Sequence, residues 1–424
     1  MPPSLLEGFS PNARGAIYVT GLYAATFALH VLLPPWSGTA GYARDCRTGD
    51  PLEYRYNGLF VLVVVIVGLL FTASADDLAD LAVCFWPMVY TSNCLGLAIS
   101  GALYVRGQSR LRRGLVDRGV SCLVVGVAKR SKTAAATDEF EARGPAENFY
   151  CGIEWNPRVL GIDIKMFNYL VGAVALACNL LGAMALHLVK TKGAGGINGE
   201  AGADPVTVLE LTSSCSNAMC AYTVSMAWFI IEYMYHEHVH VYTYDIFRER
   251  VGAKMCWGCW CFYPFFYCVG VWPLVASSAD KYQNGDLSFV GTCGCVSMFF
   301  AGWVLTRFAN LQKFYFRTEK SPTFLCGVIQ NVTVPGSNGR LLCSGFWGVS
   351  RHVNYLGEIL QGCALALPAW LATGSMLPWL YPFYYVMLFV PRDLDDDEVC
   401  AKKYGKSWDK YRTLVPYRIV PGLY

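Results

Sequence analysis

The most constraining feature of this chain is a series of apolar segments, each close to the length of a membrane-spanning helix. They lie near 15–34, 57–74, 80–105, 167–189, 217–235, 253–277, 287–307, 355–373 and 376–391. A helix needs about 20 residues to cross the hydrocarbon of a bilayer, where every backbone polar group must find a partner within the protein. The pattern therefore predicts an all-α, polytopic membrane protein with eight to ten spanning helices.

The composition favours the same class. Charged residues make up 15% of the chain, against roughly 25% in an average soluble protein. The net charge of +3 is far below that of a nucleic-acid-binding surface, so we expect no nucleic-acid partner. Most of the 18 cysteines fall inside apolar segments, which indicates small buried side chains rather than a disulfide scaffold.

The apolar segments divide the chain into a short tail at 1–14, transmembrane helices over 15–310, and a C-terminal part over 311–424. Loops at 106–147 and 189–206 interrupt the middle part. Arg and Lys are in excess at the start of the first loop and again after the last span. Membrane proteins keep such residues on the cytosolic side, so both regions are predicted to face the cytosol.

The segment from His236 to His240 satisfies the zinc motif H-E-x-x-H. On a helix, His236 and His240 would hold zinc and Glu237 would activate its water, as in an intramembrane metalloprotease. The β-branched and aromatic residues that follow are poor helix formers, and no later motif offers a third ligand. We therefore expect an interfacial loop without a metal and keep the protease as an alternative.

Two cationic residues follow the apolar segment that ends near residue 307. Lys313 and Arg317 are four residues apart, so they share one face of a helix. Such a pair could clamp a phosphate. The ordinary alternative is a membrane-end anchor, in which both side chains reach toward the interface.

The run Leu341–Glu358, LLCSGFWGVSRHVNYLGE, has an unusual density of polar and aromatic side chains directly before an apolar segment. Its glycines allow close backbone approach, and its aromatic pair can stack on a flat ring. Arg392, Asp396, Tyr404 and Tyr411 follow the final span. Because unsatisfied polar groups are costly near lipid, this set is expected to line a cavity or a cofactor site.

These motifs resemble the sterol reductase family, which comprises the delta-14, delta-7 and delta-24(28) enzymes and the lamin B receptor. The resemblance is carried by the run Leu341–Glu358 and by the tail CAKKYGKSWDKYRTLVPYRIVPGLY. Earlier elements agree with it, namely Tyr54-Arg55-Tyr56-Asn57-Gly58, Gly152–Arg158 and Asp163–Phe167. The similarity covers roughly residues 52–424.

The resemblance implies about ten transmembrane helices in the endoplasmic reticulum, with NADPH bound from the cytosolic side by the C-terminal helices and tail. By motif matching, Lys313 and Arg317 would meet the phosphates of NADPH. The nicotinamide and ribose region would be lined by Trp347, His352 and Asn354, and the pocket completed by Arg392, Asp396 and Tyr404. Sterol and membrane lipid would be the partners, and association with other sterol biosynthesis enzymes is compatible with this location.

An isolated sterol double bond is too electron-rich to accept hydride directly, so the reaction needs a proton donor kept neutral by burial. The candidate donors are Tyr411, Tyr235, Glu232 and Glu358, in that order. Glu232 is included because an ionisable residue inside an apolar span indicates function.

The position of the reduced double bond is predicted from the exact residues of several motifs. GIEWNPR, SGFWGVSRH and PGLY favour delta-7 reduction, whereas RHVNYLG and VPYRI suit delta-14 reduction equally, and delta-24(28) is a third alternative. The chain departs from the family pattern because no arginine follows the D-x-K-x-F element and Glu358 replaces the usual aspartate. A non-catalytic sterol-binding relative would be expected to carry a chromatin-binding domain before the first span, where only about fourteen residues stand.

Overall fold

The computed structural model describes residues 12–36, 40–44, 51–113, 144–195, 215–243, 246, 249–277, 284–337 and 341–424. Most of the predicted tail at 1–14 lies outside these residues, as do most of the loops predicted at 106–147 and 189–206. The described chain is mostly helical, with almost no sheet, which confirms the predicted all-α class.

Six helices among the described residues are long and apolar enough to cross a membrane, or seven if a pair bent by 118° counts as one span. This count is lower than the predicted eight to ten. The segments predicted at 217–235 and 376–391 are helical in the structure but are not among the six.

The described residues form two compact units. The first contains the residues up to Cys215 and those from Ala227 to Cys268. Its elements are α1 (Ala13–Leu32), β1 (Ala40–Arg44), β2 (Pro51–Glu53), α2 (Gly58–Thr72), α3 (Ala75–Val83), α4 (Phe85–Arg112), α5 (Pro145–Cys151), β3 (Arg158–Val159), β4 (Ile162–Asp163), α6 (Ile164–Gly195), the second part of α7 (Asn217–Tyr235), α8 (Glu237–His240), α9 (Ala253–Trp257), a π-helix (Gly258–Phe262) and α10 (Tyr263–Phe266).

The second unit contains residues Ser216–Met226, which begin α7, and the described residues from Val269 to Tyr424. Its further elements are α11 (Val271–Ala276), α12 (Phe289–Thr318), β5 (Thr323–Phe324), β6 (Ile329–Gln330), α13 (Phe346–Val349), α14 (Val353–Thr373), a short 3₁₀ helix (Leu377–Trp379), α15 (Leu380–Tyr404) and α16 (Lys406–Leu414). The strands form three antiparallel pairs in chain order.

Local sequence signals explain where several helices begin and end. The side chain of Ser288 accepts a hydrogen bond from the backbone N–H of Gly291 and so caps α12. Ser74 and Asp77 form a reciprocal capping box that starts α3 after the sharp bend. Gly374 ends α14 with a left-handed φ of 68°, a conformation that glycine adopts without a steric penalty.

Helix α6 is the buried core of the first unit, because 72% of its most apolar stretch is buried inside the protein. Two of its asparagines bond neighbouring elements. The Trp260 indole donates to Asn168 Oδ1 over 2.8 Å, and Asn179 Nδ2 donates to the carbonyl of Pro264 over 2.8 Å. Both asparagines thus take up polar groups of the π-helix and α10 that no water could reach.

The second unit depends on close contact between α12 and α14. A Cβ atom at Gly357 would lie 2.5 Å from the carbonyl oxygen of Gly302 and 2.3 Å from Thr306 Oγ1. The same threonine donates to the carbonyl of Asn354 over 3.0 Å. Small residues at this crossing let the backbones approach, as in many membrane helix pairs. On the other side of α14, Tyr355 stacks on Phe389 of α15, with ring centroids 4.3 Å apart.

This crossing yields a prediction. Gly357→Ala should destabilise the protein by about 1–3 kcal/mol, because the added methyl overlaps backbone atoms that cannot move aside. Gly294→Ala is the matched control on α12, since nothing lies within 4 Å of its Cβ position. Thermal unfolding in detergent measures both. Equal melting temperatures for the two variants would mean that the helices do not cross at these glycines.

Candidate functional site

Lys313 and Trp347 form the centre of the polar region in the second unit. Lys313 Nζ lies 4.7 Å from the centroid of the Trp347 ring, within the range of a cation–π contact. The indole N–H donates to the carbonyl of Ala309 over 2.8 Å and so fixes the ring against α12. Arg317 lies one turn beyond Lys313 and is exposed. The structure therefore brings together a cation, an aromatic face and a second, open cation.

Gln312 bonds the start of the short helix α13, which carries Trp347. Its side chain is fully buried; Oε1 accepts from the Phe346 N–H over 3.0 Å, and Nε2 donates to Asn331 Oδ1 over 2.9 Å. Gly345 makes this approach possible. Its φ is +60°, and a Cβ atom there would lie 2.6 Å from Gln312 Nε2. Only glycine fits, because any side chain would be both strained and in collision.

His352 begins α14 and contacts two carboxylates of α15. Its Nε2 atom lies 3.2 Å from Asp393 Oδ1 and 3.8 Å from Asp396 Oδ2. The ring is also stacked on Tyr355, with centroids 4.7 Å apart. Two contacts of different kinds thus define the orientation of the imidazole.

Asp393 and Asp397 tie the end of the chain to α15. Arg418 bonds Asp393 Oδ2 over 2.5 Å and Asp397 Oδ2 over 2.9 Å. Arg412 adds a bond of 2.7 Å to Asp397. The backbone N–H of His352 donates to the carbonyl of Arg418 over 2.8 Å, so the same segment also pairs with the start of α14.

The charges of this network shift its acid–base behaviour. Burial raises the pKa of the Asp393 carboxyl, but hydrogen bonds and charges from His352 and Arg418 outweigh burial and hold the pKa below its usual range. The pKa of Asp397 is lowered in the same way, by Arg412, Trp408 and Arg418. Both carboxyls are therefore ionised at neutral pH and stabilise the folded state there.

Two polar atoms close to His352 in the chain have no hydrogen-bond partner among the residues that the structure describes. They are Ser350 Oγ, whose residue is fully buried, and Asn354 Oδ1. Glu358 lies one turn beyond Asn354 on α14. A buried polar atom without a partner is costly, so these atoms fit a region that receives a polar ligand or water.

The remaining predicted residues of the second unit lie on α15 and α16. Arg392 and Asp396 are one turn apart, and Asp396 Oδ2 also lies 3.8 Å from Cys400 Sγ. Tyr404 ends α15 and stacks on Trp408. The Tyr411 hydroxyl is buried and donates to the carbonyl of Trp347 over 3.3 Å, a long and weak bond.

Two of the four predicted proton donors lie in the first unit. Glu232 is buried on α7, with Oε2 3.6 Å from His236 Nδ1. Tyr235 ends the same helix and is 47% exposed, with its ring centroid 5.2 Å from that of Trp36. Tyr411 and Glu358, by contrast, share the second unit with the predicted cofactor residues.

The H-E-x-x-H segment is engaged in local packing. A helix break at His236 separates α7 from α8. Glu237 Oε2 accepts from the backbone N–H of Gly58 over 2.9 Å, and His240 Nε2 lies 3.2 Å from the carbonyl oxygen of Tyr233. Among the described residues, no group of three or more His, Cys, Asp or Glu side chains could hold a metal ion.

Sequence reasoning overlooked the carboxylates and cations that order this site: Asp393, Asp397, Arg412 and Arg418. One signal was available, because Asp393 and Asp397 are four residues apart on one face of α15. Their partners are 15 to 25 residues away in the chain, and no local pattern identifies such pairs.

Comparison with known proteins gives one family and several relatives. The model of the ergosterol biosynthesis ERG4/ERG24 family matches residues 205–424. The chain is 30% identical to the 7-dehydrocholesterol reductase of Danio rerio over 413 residues, which cover 93% of this chain and 75% of that protein. It is 28% identical to the Delta(14)-sterol reductase of Methylotuvimicrobium alcaliphilum over 410 residues, covering 96% and 83%. The Delta(14)-sterol reductase of Arabidopsis thaliana is 27% identical over 378 residues, covering 89% and 88%.

The lowered pKa of Asp393 predicts a pH-dependent stability. At neutral pH, Asp393→Asn should lower the free energy of unfolding by about 2–3 kcal/mol. This loss is smaller than that for a fully broken buried pair, because Arg418 still bonds Asp397. A carboxyl with a depressed folded pKa stabilises above its unfolded pKa of about 4 and loses this effect as the pH falls further. The melting temperatures of wild type and variant should therefore converge below about pH 4.

Glu398→Gln is the control for this series, because among the described residues Glu398 pairs only with Lys402, at the surface, and the change should have little effect at any pH. A difference between wild type and Asp393→Asn that stayed constant from pH 7 to pH 3.5 would contradict a lowered pKa of Asp393.

Proposed function

This chain belongs to the ergosterol biosynthesis ERG4/ERG24 family of sterol reductases, and we propose that it reduces a carbon–carbon double bond of a sterol with NADPH as the reductant. Membership makes it a multi-pass membrane oxidoreductase that acts on sterols. The observation that carries the finer proposal is the contact of Lys313 with Trp347 beside Arg317, Ser350 and Asn354 in one unit.

The residues of the second unit suit a dinucleotide with an added phosphate. Lys313 and Arg317 present two cations on one helical face, and charge-assisted bonds to phosphate are the strong ones. The open acceptor of Asn354 suits a ribose hydroxyl or a carboxamide N–H. Trp347 offers a flat ring, although its face toward Lys313 is already in contact with that cation. When bound, NADPH would supply a hydride.

His352, Arg392, Asp396 and Tyr404 would complete this pocket. The fixed imidazole of His352 suits an orienting role, because Asp393 and Tyr355 hold it from two sides. Asp396 lies farther from His352 than Asp393 does, at 3.8 Å against 3.2 Å, and Arg418 bonds Asp393. It can therefore accept a hydrogen bond from a ligand hydroxyl or amide.

Tyr411 is the proton donor that we favour. Burial raises the pKa of its hydroxyl above the ordinary value, so the group stays protonated. Its long bond to the Trp347 carbonyl can be exchanged for a contact with substrate, which places the proton beside the proposed cofactor pocket. Protonation of one alkene carbon leaves a cation on the other, which hydride then quenches. Glu358, Tyr235 and Glu232 are the other candidates.

The position of the double bond is proposed as delta-7 or delta-14. The wording of GIEWNPR and SGFWGVSRH favours delta-7 reduction, while relatives named for each activity support both equally. Delta-24(28) reduction remains a third alternative. We also propose, from the family resemblance, that the protein resides in the endoplasmic reticulum membrane. Its cofactor site would face the cytosol, because Lys and Arg recur after the span predicted at 376–391.

Sterol turnover tests this function. Proteoliposomes with NADPH should saturate the ring double bond of a supplied delta-7 or delta-14 sterol, as followed by mass spectrometry. Tyr411→Phe should lower kcat by about 100-fold or more, the usual loss on removing a general acid. The control is Tyr417→Phe, since that ring is partly exposed at the surface. Absence of turnover with delta-7, delta-14 and delta-24(28) substrates would refute the proposal, and full activity of Tyr411→Phe would pass its role to the other candidates.

The cofactor assignment gives a separate prediction. Lys313→Ala or Arg317→Ala should raise the KM for NADPH by about 10- to 100-fold and leave the KM for sterol nearly unchanged, because a charge-assisted bond is worth about 1.5–3 kcal/mol. Lys402→Ala is the matched control, since within the described part of the chain Lys402 pairs only with Glu398, on the exposed side of α15. Equal losses for both substrates would indicate a disturbed fold instead of a lost phosphate contact.

A further inference from the structure

A short hairpin between α12 and the Trp347 loop ends in an apolar turn. Strands β5 and β6 are joined by Leu325–Val328, closed by a hydrogen bond of 3.1 Å from the Val328 N–H to the Leu325 carbonyl. Leu325 and Cys326 both have φ of +52°, and Gly327 has φ of +93°. Left-handed backbone is disfavoured for leucine and cysteine, so the conformation of this turn costs free energy.

The turn also exposes its side chains. Val328 is 81% exposed, Leu325 is 38% exposed, and Cys326 is exposed as well. Turns of this type normally carry asparagine, aspartate or glycine, which water solvates well. On α12, Val290 is exposed to almost the same extent, at 79%, and there the exposure belongs to a candidate membrane span.

The hairpin folds back along α12. The ring of Phe324 lies 6.3 Å from that of Phe308 and 6.4 Å from that of Tyr315. Phe308 precedes the end of α12 at Thr318 by ten residues, which is about 15 Å along a helix. Phe324, the residue directly before the turn, therefore packs against the last three turns of α12. Trp303 and Phe308 are in edge contact there, the kind of aromatic pair found at membrane interfaces.

We propose that the turn Leu325–Val328 inserts into the interfacial layer of the lipid bilayer beside α12. Its apolar side chains would enter the boundary between head groups and acyl chains, where water no longer has to solvate them. Arg317 and Lys320 are exposed near the base of the hairpin and would face anionic head groups. The occupant is lipid because Phe324, next to the turn, packs on Phe308 of a candidate membrane-spanning helix, one turn after the exposed Val304.

Insertion would also support the polar region. The Cγ2 atom of Ile329, which directly follows the turn, lies 2.7 Å from the position that a Cβ atom of Gly345 would occupy. The next residue but one, Asn331, bonds Gln312, which also holds Phe346. A turn anchored in lipid therefore restrains, through strand β6 and Asn331, the short helix α13 that carries Trp347.

Photocrosslinking in nanodiscs of phosphatidylcholine and phosphatidylserine tests the insertion. Val328→p-benzoylphenylalanine should give lipid adducts on the peptide that carries it, detected by mass spectrometry after irradiation and digestion. The same replacement at Val290 is the lipid-facing reference. Replacement at Leu414, an exposed apolar residue on the charged helix α16, is the solvent-facing control.

We expect an adduct yield at Val328 within a few fold of that at Val290, and at least tenfold above that at Leu414. A yield at Val328 equal to that at Leu414 would overturn the proposal. So would a crosslink from Val328 to a second copy of the chain or to another protein without lipid adduct. If the Val328 replacement does not fold, replacement of Leu325 gives the same readout. The test requires only membrane insertion, so it stands apart from any failure of the reductase assay.

Discussion

The buried carboxylate of Asp393 is the interaction on which the candidate site depends. It is only 1% exposed, and a charge so removed from water is tolerated only when it is paired and hydrogen-bonded. His352 supplies one partner from the start of α14, and Arg418 supplies the other from the last residues of the chain. One carboxylate on α15 thus fixes three parts of the sequence relative to each other. The loop that carries Trp347 leads directly into His352, so the aromatic face beneath Lys313 inherits its position from this contact.

Steric constraints complement this charge. Gly345 admits the side chain of Gln312, and Gly357 admits the backbone of α12 at Gly302. Both glycines contact α12. Gly345 does so near the end of α12 that is proposed to face the cytosol, and Gly357 does so within the apolar part of α12. As a result α12 is held along its length by α14 and by the loop before α14. Lys313 and Arg317 then project from a helix whose position is already determined, which is what a phosphate clamp requires.

The sequence predicted the helical membrane class and the family, because these depend on segment length and on specific motifs. It could not predict the ion pairs of Asp393 and Asp397, which join residues distant in the chain. In the H-E-x-x-H segment the spacing alone suits zinc, whereas Glu237 accepts a hydrogen bond from the distant Gly58 N–H, a contact that no local pattern predicts.

Apolarity alone also leaves the surroundings of a helix undetermined in a membrane protein. In α6, 72% of the most apolar stretch is buried inside the protein, but in α12 only 22% is buried, although both helices are long and apolar enough to span a membrane. The contacts of each span distinguish them. Asn168 and Asn179 of α6 bond neighbouring elements, whereas α12 is buried along one stripe that includes Cys295, Phe299, Gly302, Thr306 and Ala309. The remainder of α12 is therefore available to lipid. One helix thus faces lipid over most of its surface and presents Lys313 at its end, so a change in its tilt or depth in the bilayer would move the proposed cofactor clamp directly.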